Sequence, residues 1–165
     1  MIEMKIRGIA VDPTLQTPAV VLTDEEEQRY LPIWIGVTEA TAIFIQLSQQ
    51  QLPRPMVHDL LKQVIEVHGV QVTRIVINDI DKNTFFSKIF LENVKTLEKY
   101  EIDSRPSDAI ALALRTCSPI LVAEKVVVTA TIVDKKRCKT ELSEFKKRLE
   151  HISLSDFINS NPKDP

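Results

Sequence analysis

A chain of 165 residues suits one domain with a sizeable apolar core. Its formal net charge of −2 and pI near 5.9 exclude a broadly basic surface, so any nucleic-acid contact must use a local patch, or metal ions, to offset phosphate repulsion. Cys117 and Cys138 form neither a CxxC pair nor a disulfide framework, and Gly8, Gly36 and Gly69 cannot spell a GxGxxG or Walker loop, which excludes a disulfide scaffold and the usual nucleotide cradles.

In chain order, Ile2 to Val11 alternates as a strand, Asp12-Pro13-Thr14 reads as a turn, and Ala19 to Leu22 is a second, β-branched strand. The acidic run Asp24-Glu25-Glu26-Glu27 is a solvated hairpin loop, because strands resume at Arg29 to Ile35. Thr38 is a natural N-cap for a helix carrying Ala40, Ile43, Phe44 and Leu47 on one face. Glu39, in its first turn, reads either as an acid compensating the dipole or as a catalytic group. A second helix opens in Leu52-Pro53-Arg54-Pro55-Met56-Val57-His58-Asp59-Leu60-Leu61, with Leu60, Leu61, Val64, Ile65 and His68 toward one side.

Strands follow at Val70 to Ile77 and Thr84 to Leu91, joined through Asp79-Ile80-Asp81-Lys82-Asn83. That loop lacks the glycine and distal glutamate of a calcium site. Another strand is expected around Val94 to Ile102. The stretch Asp103-Ser104-Arg105-Pro106-Ser107-Asp108-Ala109-Ile110-Ala111-Leu112-Ala113-Leu114-Arg115 then begins a helix at Pro106, buried on most sides and packed on the sheet. Arg105 at its cap gains nothing from the positive end of the dipole, so an anion is expected to face it. Asp103 or Asp108 could supply that anion, and so could a bound phosphate. Ser118-Pro119 is a stop, Ile120 to Ala123 a short buried strand, and Val126 to Val133 a further β-branched strand.

Lys135-Lys136-Arg137 reads as solvated surface or as a phosphate contact. A final amphipathic helix carries Leu142, Phe145, Leu149 and Ile152, and a polar tail follows. The organisation expected is a domain over 1–134 and a C-terminal helical arm over 135–165. The N-terminus has no unbroken apolar signal core, and no later segment holds the run of about 20 apolar residues that a membrane span needs. A soluble, cytoplasmic protein that does not enter membranes is expected.

Three blocks resemble the bifunctional nuclease domain family: Leu31-Pro32-Ile33-Trp34-Ile35-Gly36 with Glu39-Ala40; Arg54-Pro55-Met56 with His58-Asp59-Leu60-Leu61; and Asp103 to Arg115 with Pro119-Ile120. Val57 departs from the pattern, where relatives commonly carry threonine. The resemblance implies a wedge-like α+β fold with a mixed, largely antiparallel β-sheet packed with helices. It also implies a nuclease acting on both RNA and DNA, and a homodimer.

Phosphodiester hydrolysis needs an activated water and compensation for charge at phosphorus. Within the family blocks, Glu39, Asp59, Asp103 and Asp108 are the acids that could hold Mg²⁺ or Mn²⁺. Arg54, Arg105 and Arg115 are the substrate-binding cations, and His58, Asp59, Arg105 and Asp108 the catalytic candidates. His58 reads equally as a first-turn residue bonded to a neighbouring segment. A rival class is a non-enzymatic dimer that binds a phosphorylated or carboxylated ligand at its Arg-Pro helix mouths.

Overall fold

The computed structural model describes residues 1–11 and 17–137, with 131–137 as helical backbone only. The chain divides into two compact units, Met1–Thr131 and Ile132–Pro165. The expected turn at 12–14 and the expected helix over 142–152 lie outside the described residues.

Three strands open the fold: β1 (Ile2–Val11), β2 (Pro18–Thr23) and β3 (Tyr30–Trp34). They form an antiparallel meander, and β2 is buried along its whole length. The acidic run makes the β2–β3 turn, where Asp24 Oδ1 accepts from the Gln28 and Arg29 N–H groups at 2.8 and 3.1 Å. Helices α1 (Val37–Leu47) and α2 (Val57–Val67) come next. Then β4 (Val70–Asp81), β5 (Thr84–Asn93) and β6 (Lys99–Ser104) lead into α3 (Pro106–Thr116), β7 (Ile120–Val122) and α4 (Glu124–Arg137).

The strands join in one seven-stranded sheet ordered β3-β2-β1-β7-β4-β5-β6. Only β4 and β7 run parallel; the other pairs are antiparallel, so the α+β class with a mixed, largely antiparallel sheet is what the chain adopts. The parallel pair arises because α3 intervenes between β6 and β7, and a helix can return the chain in the direction that a tight hairpin cannot.

Helix α3 is the hub. Ala109 to Ala113 are all at most 2% exposed. Alanines at this spacing let neighbouring backbones approach closely, and each fully buried Ile or Leu contributes about 1.5–3 kcal/mol. The helix starts at Pro106, as its sequence dictates, and Arg105 in extended geometry (φ −71°, ψ 144°) caps it. It ends at Cys117 in the left-handed region, with φ 54°.

Several elements differ from the sequence expectations. The segment 126–133 is helical: Val126, Val127 and Ala130 are buried at 0, 7 and 7% while Val128 is 58% exposed. That is helical spacing, and burial of this stripe overrides the weak strand preference of β-branched residues. The strand expected from Val94 begins only at Lys99. Asn93 Oδ1 instead accepts from the Lys95 and Thr96 N–H groups at 2.9 and 3.0 Å and holds a turn. In the β4–β5 hairpin, Asp79 and Asp81 remain in strand, and the turn is the pair Lys82-Asn83, with φ of 44° and 65°. Helix α1 is capped by Gly36, whose carbonyl accepts from Ala40 N–H at 2.9 Å, so Thr38 lies inside the first turn.

Helix α2 departs furthest from the usual logic of an amphipathic helix. It has no buried residue. Its polar side, His58, Asp59 and Lys62, bonds to α3, whereas Val57, Leu60, Leu61, Val64 and Val67 are exposed.

Candidate active site

The N-terminal ends of α1, α2 and α3 meet through side chains. Arg105, the cap of α3, donates through Nε to Asp108 Oδ2 at 2.7 Å and through Nη2 to Oδ1 at 3.1 Å. Its Nη1 donates to Glu39 Oε1, in the first turn of α1, at 2.8 Å. Asp108 Oδ1 lies 3.3 Å from Nε2 of His58, in the first turn of α2. The anion expected opposite Arg105 is therefore supplied internally, by Asp108 and Glu39 together.

The local sequence explains each placement. Pro106 pushes Arg105 into extended geometry, and an acid three residues on can then reach back across the first turn. Glu39 folds over the start of α1 because position 36 is glycine: a Cβ there would stand 2.4 Å from Glu39 Oε2. In α2, Asp59 Oδ2 accepts from the Met56 N–H at 2.8 Å, and the helix begins after Met56. Here the two Arg-Pro corners differ. Pro106 is the first helical residue, whereas Pro55 precedes the cap, because the N–H that Asp59 needs must come from the cap residue.

Burial and charge set the electrostatics. Burial pushes the Asp108 carboxyl up, but bonds from Arg105 and His58 outweigh it and leave the group below its usual range. Bonds to Asp108 and then to Glu39 raise the pKa of Arg105, which stays fully charged. The Arg105 side chain is 66% exposed, against 21% for Glu39, 32% for Asp108 and 13% for His58, so solvent meets the guanidinium first. Three of its five N–H donors are engaged, leaving the others for an external oxygen.

The remaining candidates fall elsewhere. Arg115 is 6% exposed and committed internally. Its Nε donates to Asp59 Oδ1 at 2.5 Å and its Nη1 to Ala111 O at 2.9 Å, while both terminal nitrogens reach Ala42 O at 3.3 Å. It ties α1, α2 and α3 together, and Lys62 Nζ covers the Arg115 carbonyl at 2.9 Å. Burial raises the Asp59 carboxyl, yet the Met56 N–H and Arg115 bring it below the ordinary value. Arg54 is exposed and joins none of the ion pairs among the described residues. Asp103 stands on β6 opposite Lys88 of β5, apart from the Arg105 bonds.

A family model described as the bifunctional nuclease domain matches residues 20–135, a span that holds all three sequence blocks and every side chain of this site. The chain belongs to the bifunctional nuclease domain family. It is 34% identical to an uncharacterized protein of Mycobacterium tuberculosis over 94% of this chain and 97% of that one. It is 28% identical to Bifunctional nuclease 1 of Oryza sativa subsp. japonica over 66% of this chain and 33% of the plant protein. Against Bifunctional nuclease 1 of Arabidopsis thaliana the identity is 29%, over 64% of this chain and 33% of that protein. The match thus spans about a third of the plant relatives' length.

Within this bifunctional nuclease domain, no group of three or more His, Cys, Asp or Glu side chains gathers as a metal cage among the described residues. Of the four acids expected to hold a cation, Glu39 and Asp108 meet on Arg105, Asp59 turns to Arg115, and Asp103 lies on β6. The donor set does not fit an all-protein site. The two acids that do converge, Glu39 and Asp108, are bonded to Arg105. The sequence places Gly36 in a family block without a role of its own, and gives Lys62 none. The signal for Gly36 was present, since a glycine three residues before a first-turn acid leaves room for that acid to fold back. No helix among the described residues is long and apolar enough to cross a membrane.

Proposed function

We propose that the chain is a nuclease that hydrolyses phosphodiester bonds in both RNA and DNA, at the cluster of Arg105, Asp108, His58 and Glu39. The observation carrying this reading is the double role of Asp108, which holds both an exposed guanidinium and an imidazole where three helix N-termini meet. Helix N-termini and arginine both favour phosphate oxygens. Arg105, steadied by two carboxylates, donates its free N–H groups to the scissile phosphate and offsets charge as the pentacoordinate centre forms.

DNA lacks a 2′-hydroxyl, so an activity on both polymers needs water as the nucleophile. With Asp108 ionised, the Nε2 proton of His58 is directed at that carboxylate and Nδ1 is left as the acceptor that takes a proton from water. Such general-base help is worth about 10²–10⁴-fold. Arg54, unpaired among the described residues and two residues ahead of the α2 cap, is a second phosphate contact. Asp59 and Arg115 hold α2 so that His58 meets Asp108. Were a Mg²⁺ or Mn²⁺ ion to take part, Glu39 and Asp108 are the carboxylates that would hold it, and it would supply further charge neutralisation. A reducing, cytoplasmic setting goes with this reading, since the sequence has two cysteines and no disulfide framework. The protein works as a homodimer.

Cleavage of single-stranded RNA and DNA by purified protein, with EDTA and Mg²⁺ or Mn²⁺ arms, tests the reading. Arg105→Ala and Asp108→Ala are expected to lower the rate by at least about 10²-fold with circular dichroism unchanged. Equal activity of wild type and both variants would assign the cleavage to contamination and sink the proposal. A second reading, a non-enzymatic anion-binding protein, is favoured by the pairing of Glu39, Asp59 and Asp108 with cations. It predicts ligand binding lost in Arg105→Ala with no turnover in any arm.

A further inference from the structure

The chain has one tryptophan, Trp34, and it is 50% exposed. A large aromatic ring left half uncovered is informative where a scattered apolar residue would not be, because tryptophan is highly buried on average and its flat face suits a ligand. Trp34 is the last residue of β3, an end strand of the sheet, and pairs with Ala19 of β2. Leu31 and Ile33 alternate with it and are buried at 1 and 2%, so the indole stands on the other face of the strand.

The chain itself limits how far this residue lies from the Arg105 cluster. Gly36 follows two residues later, at most about 7 Å from Trp34 between Cα atoms. A Cβ on Gly36 would stand 2.4 Å from Glu39 Oε2, and the other oxygen of that carboxylate accepts from Arg105. The Cα of Trp34 therefore lies within about 11 Å of the Glu39 carboxylate. A strand whose phosphate meets the exposed guanidinium needs about one or two further nucleotides to pass the end of β3.

We propose that Trp34 is a stacking platform for a nucleobase of the strand whose phosphate Arg105 holds. The proposal rests on the nucleic-acid substrate of the reading above and adds what that reading lacks, a contact to a base. Arg105 and Arg54 address phosphates, which carry no information about the bases; an indole stacks on the π-face that every base has. Stacking of this kind favours single strands, whose bases are free, over a duplex, whose bases already stack on each other. It asks nothing of the 2′-hydroxyl, so it serves RNA and DNA alike. It also adds affinity without charge, which suits a chain whose net charge is −2.

Because Trp34 is the sole tryptophan, its fluorescence reads this one position on the full chain. The test uses a deoxyadenosine strand and an abasic strand of equal length, both with phosphorothioate links that resist cleavage, so that phosphates are matched and only the bases differ. Trp34 emission is expected to fall when the deoxyadenosine strand is added and to stay level with the abasic one. By anisotropy of end-labelled strands, Trp34→Ala is expected to raise Kd for the deoxyadenosine strand about tenfold and to leave Kd for the abasic strand within about twofold, with Trp34→Phe recovering most of the loss. The unchanged abasic Kd separates lost stacking from misfolding. Equal Kd values for wild type and Trp34→Ala on the deoxyadenosine strand, or equal weakening on both strands, overturn the platform and leave the proposed nucleolysis standing. A wild type that binds through Trp34 yet cleaves no ordinary strand in any metal arm keeps the platform and overturns the nuclease. A wild type that binds neither strand overturns both.

Discussion

Arg105 and Arg115 stand ten residues apart on one helix and have opposite fates, which their surroundings decide. Arg105 lies at the exposed mouth, where carboxylates steady it without enclosing it; Arg115 lies where α1 and α2 close over α3, and its donors are spent on backbone carbonyls and Asp59. Spacing within the 103–115 block could not separate them, because both follow from what other segments bring. Gly36 makes a sharper case. The atom a Cβ would strike is the end of a flexible side chain, so Gly36→Ala displaces the Glu39 carboxylate from Arg105 rather than unfolding the helix. Thermal melts should change by less than about 1 kcal/mol, within the ordinary range for a tolerated substitution, while cleavage falls. A large stability loss with cleavage unaffected would mean that glycine serves the backbone and not the acid.

At the scale of elements, hydrophobic patterning succeeded wherever a segment had one apolar face and a buried destination. The meander of β1 to β3 and the whole of α3 were legible for that reason. It failed at 126–133, where β-branched residues resemble a strand but are spaced for a helix, and the difference is open to measurement. In a strand Val126 and Val128 would share a face; in α4 Val126 is buried and Val128 is 58% exposed. Val126→Ala should therefore cost about 1–2 kcal/mol, and Val128→Ala less than about 0.5 kcal/mol, by denaturant unfolding. Equal costs would contradict the helix. Helix α2 shows the complementary failure. Its apolar stripe was visible, but a stripe marks a surface that must be covered, not which way it points. The polar side won the inward position because Asp108 and Arg115 offered it partners.

For the whole molecule, acid stability should follow the carboxylates that join the helices. Asp59 and Asp108 both have folded pKa values below the ordinary 3.8, so the folded state binds their protons less tightly than the unfolded chain. The stability they contribute is complete above about pH 3.8 and is lost as pH falls through their lower folded values. Arg115→Met removes the partner of Asp59. It should cost about 2 kcal/mol near neutrality, less than a fully buried pair because the Asp59 side chain is 35% exposed. The gap between variant and wild type should narrow below pH 3.8 in urea melts; a gap independent of pH would show that Arg115 acts through its carbonyl contacts alone.

The chain order of residues was enough to determine the family, the α+β class and the start of α3 at Pro106, and it named the charged residues from which the cluster around Arg105 is drawn, because caps, proline geometry and apolar periodicity act over a few neighbouring positions. Only the tertiary structure decided that Glu39 and Asp108 converge on Arg105 with His58 bonded to Asp108, that Arg115 is sealed and Asp103 is elsewhere, and that β6 ends the sheet among the described residues. Those outcomes depend on contacts between segments up to 73 residues apart, such as Ala42 with Arg115, and no local preference encodes which distant partner a charged side chain will meet.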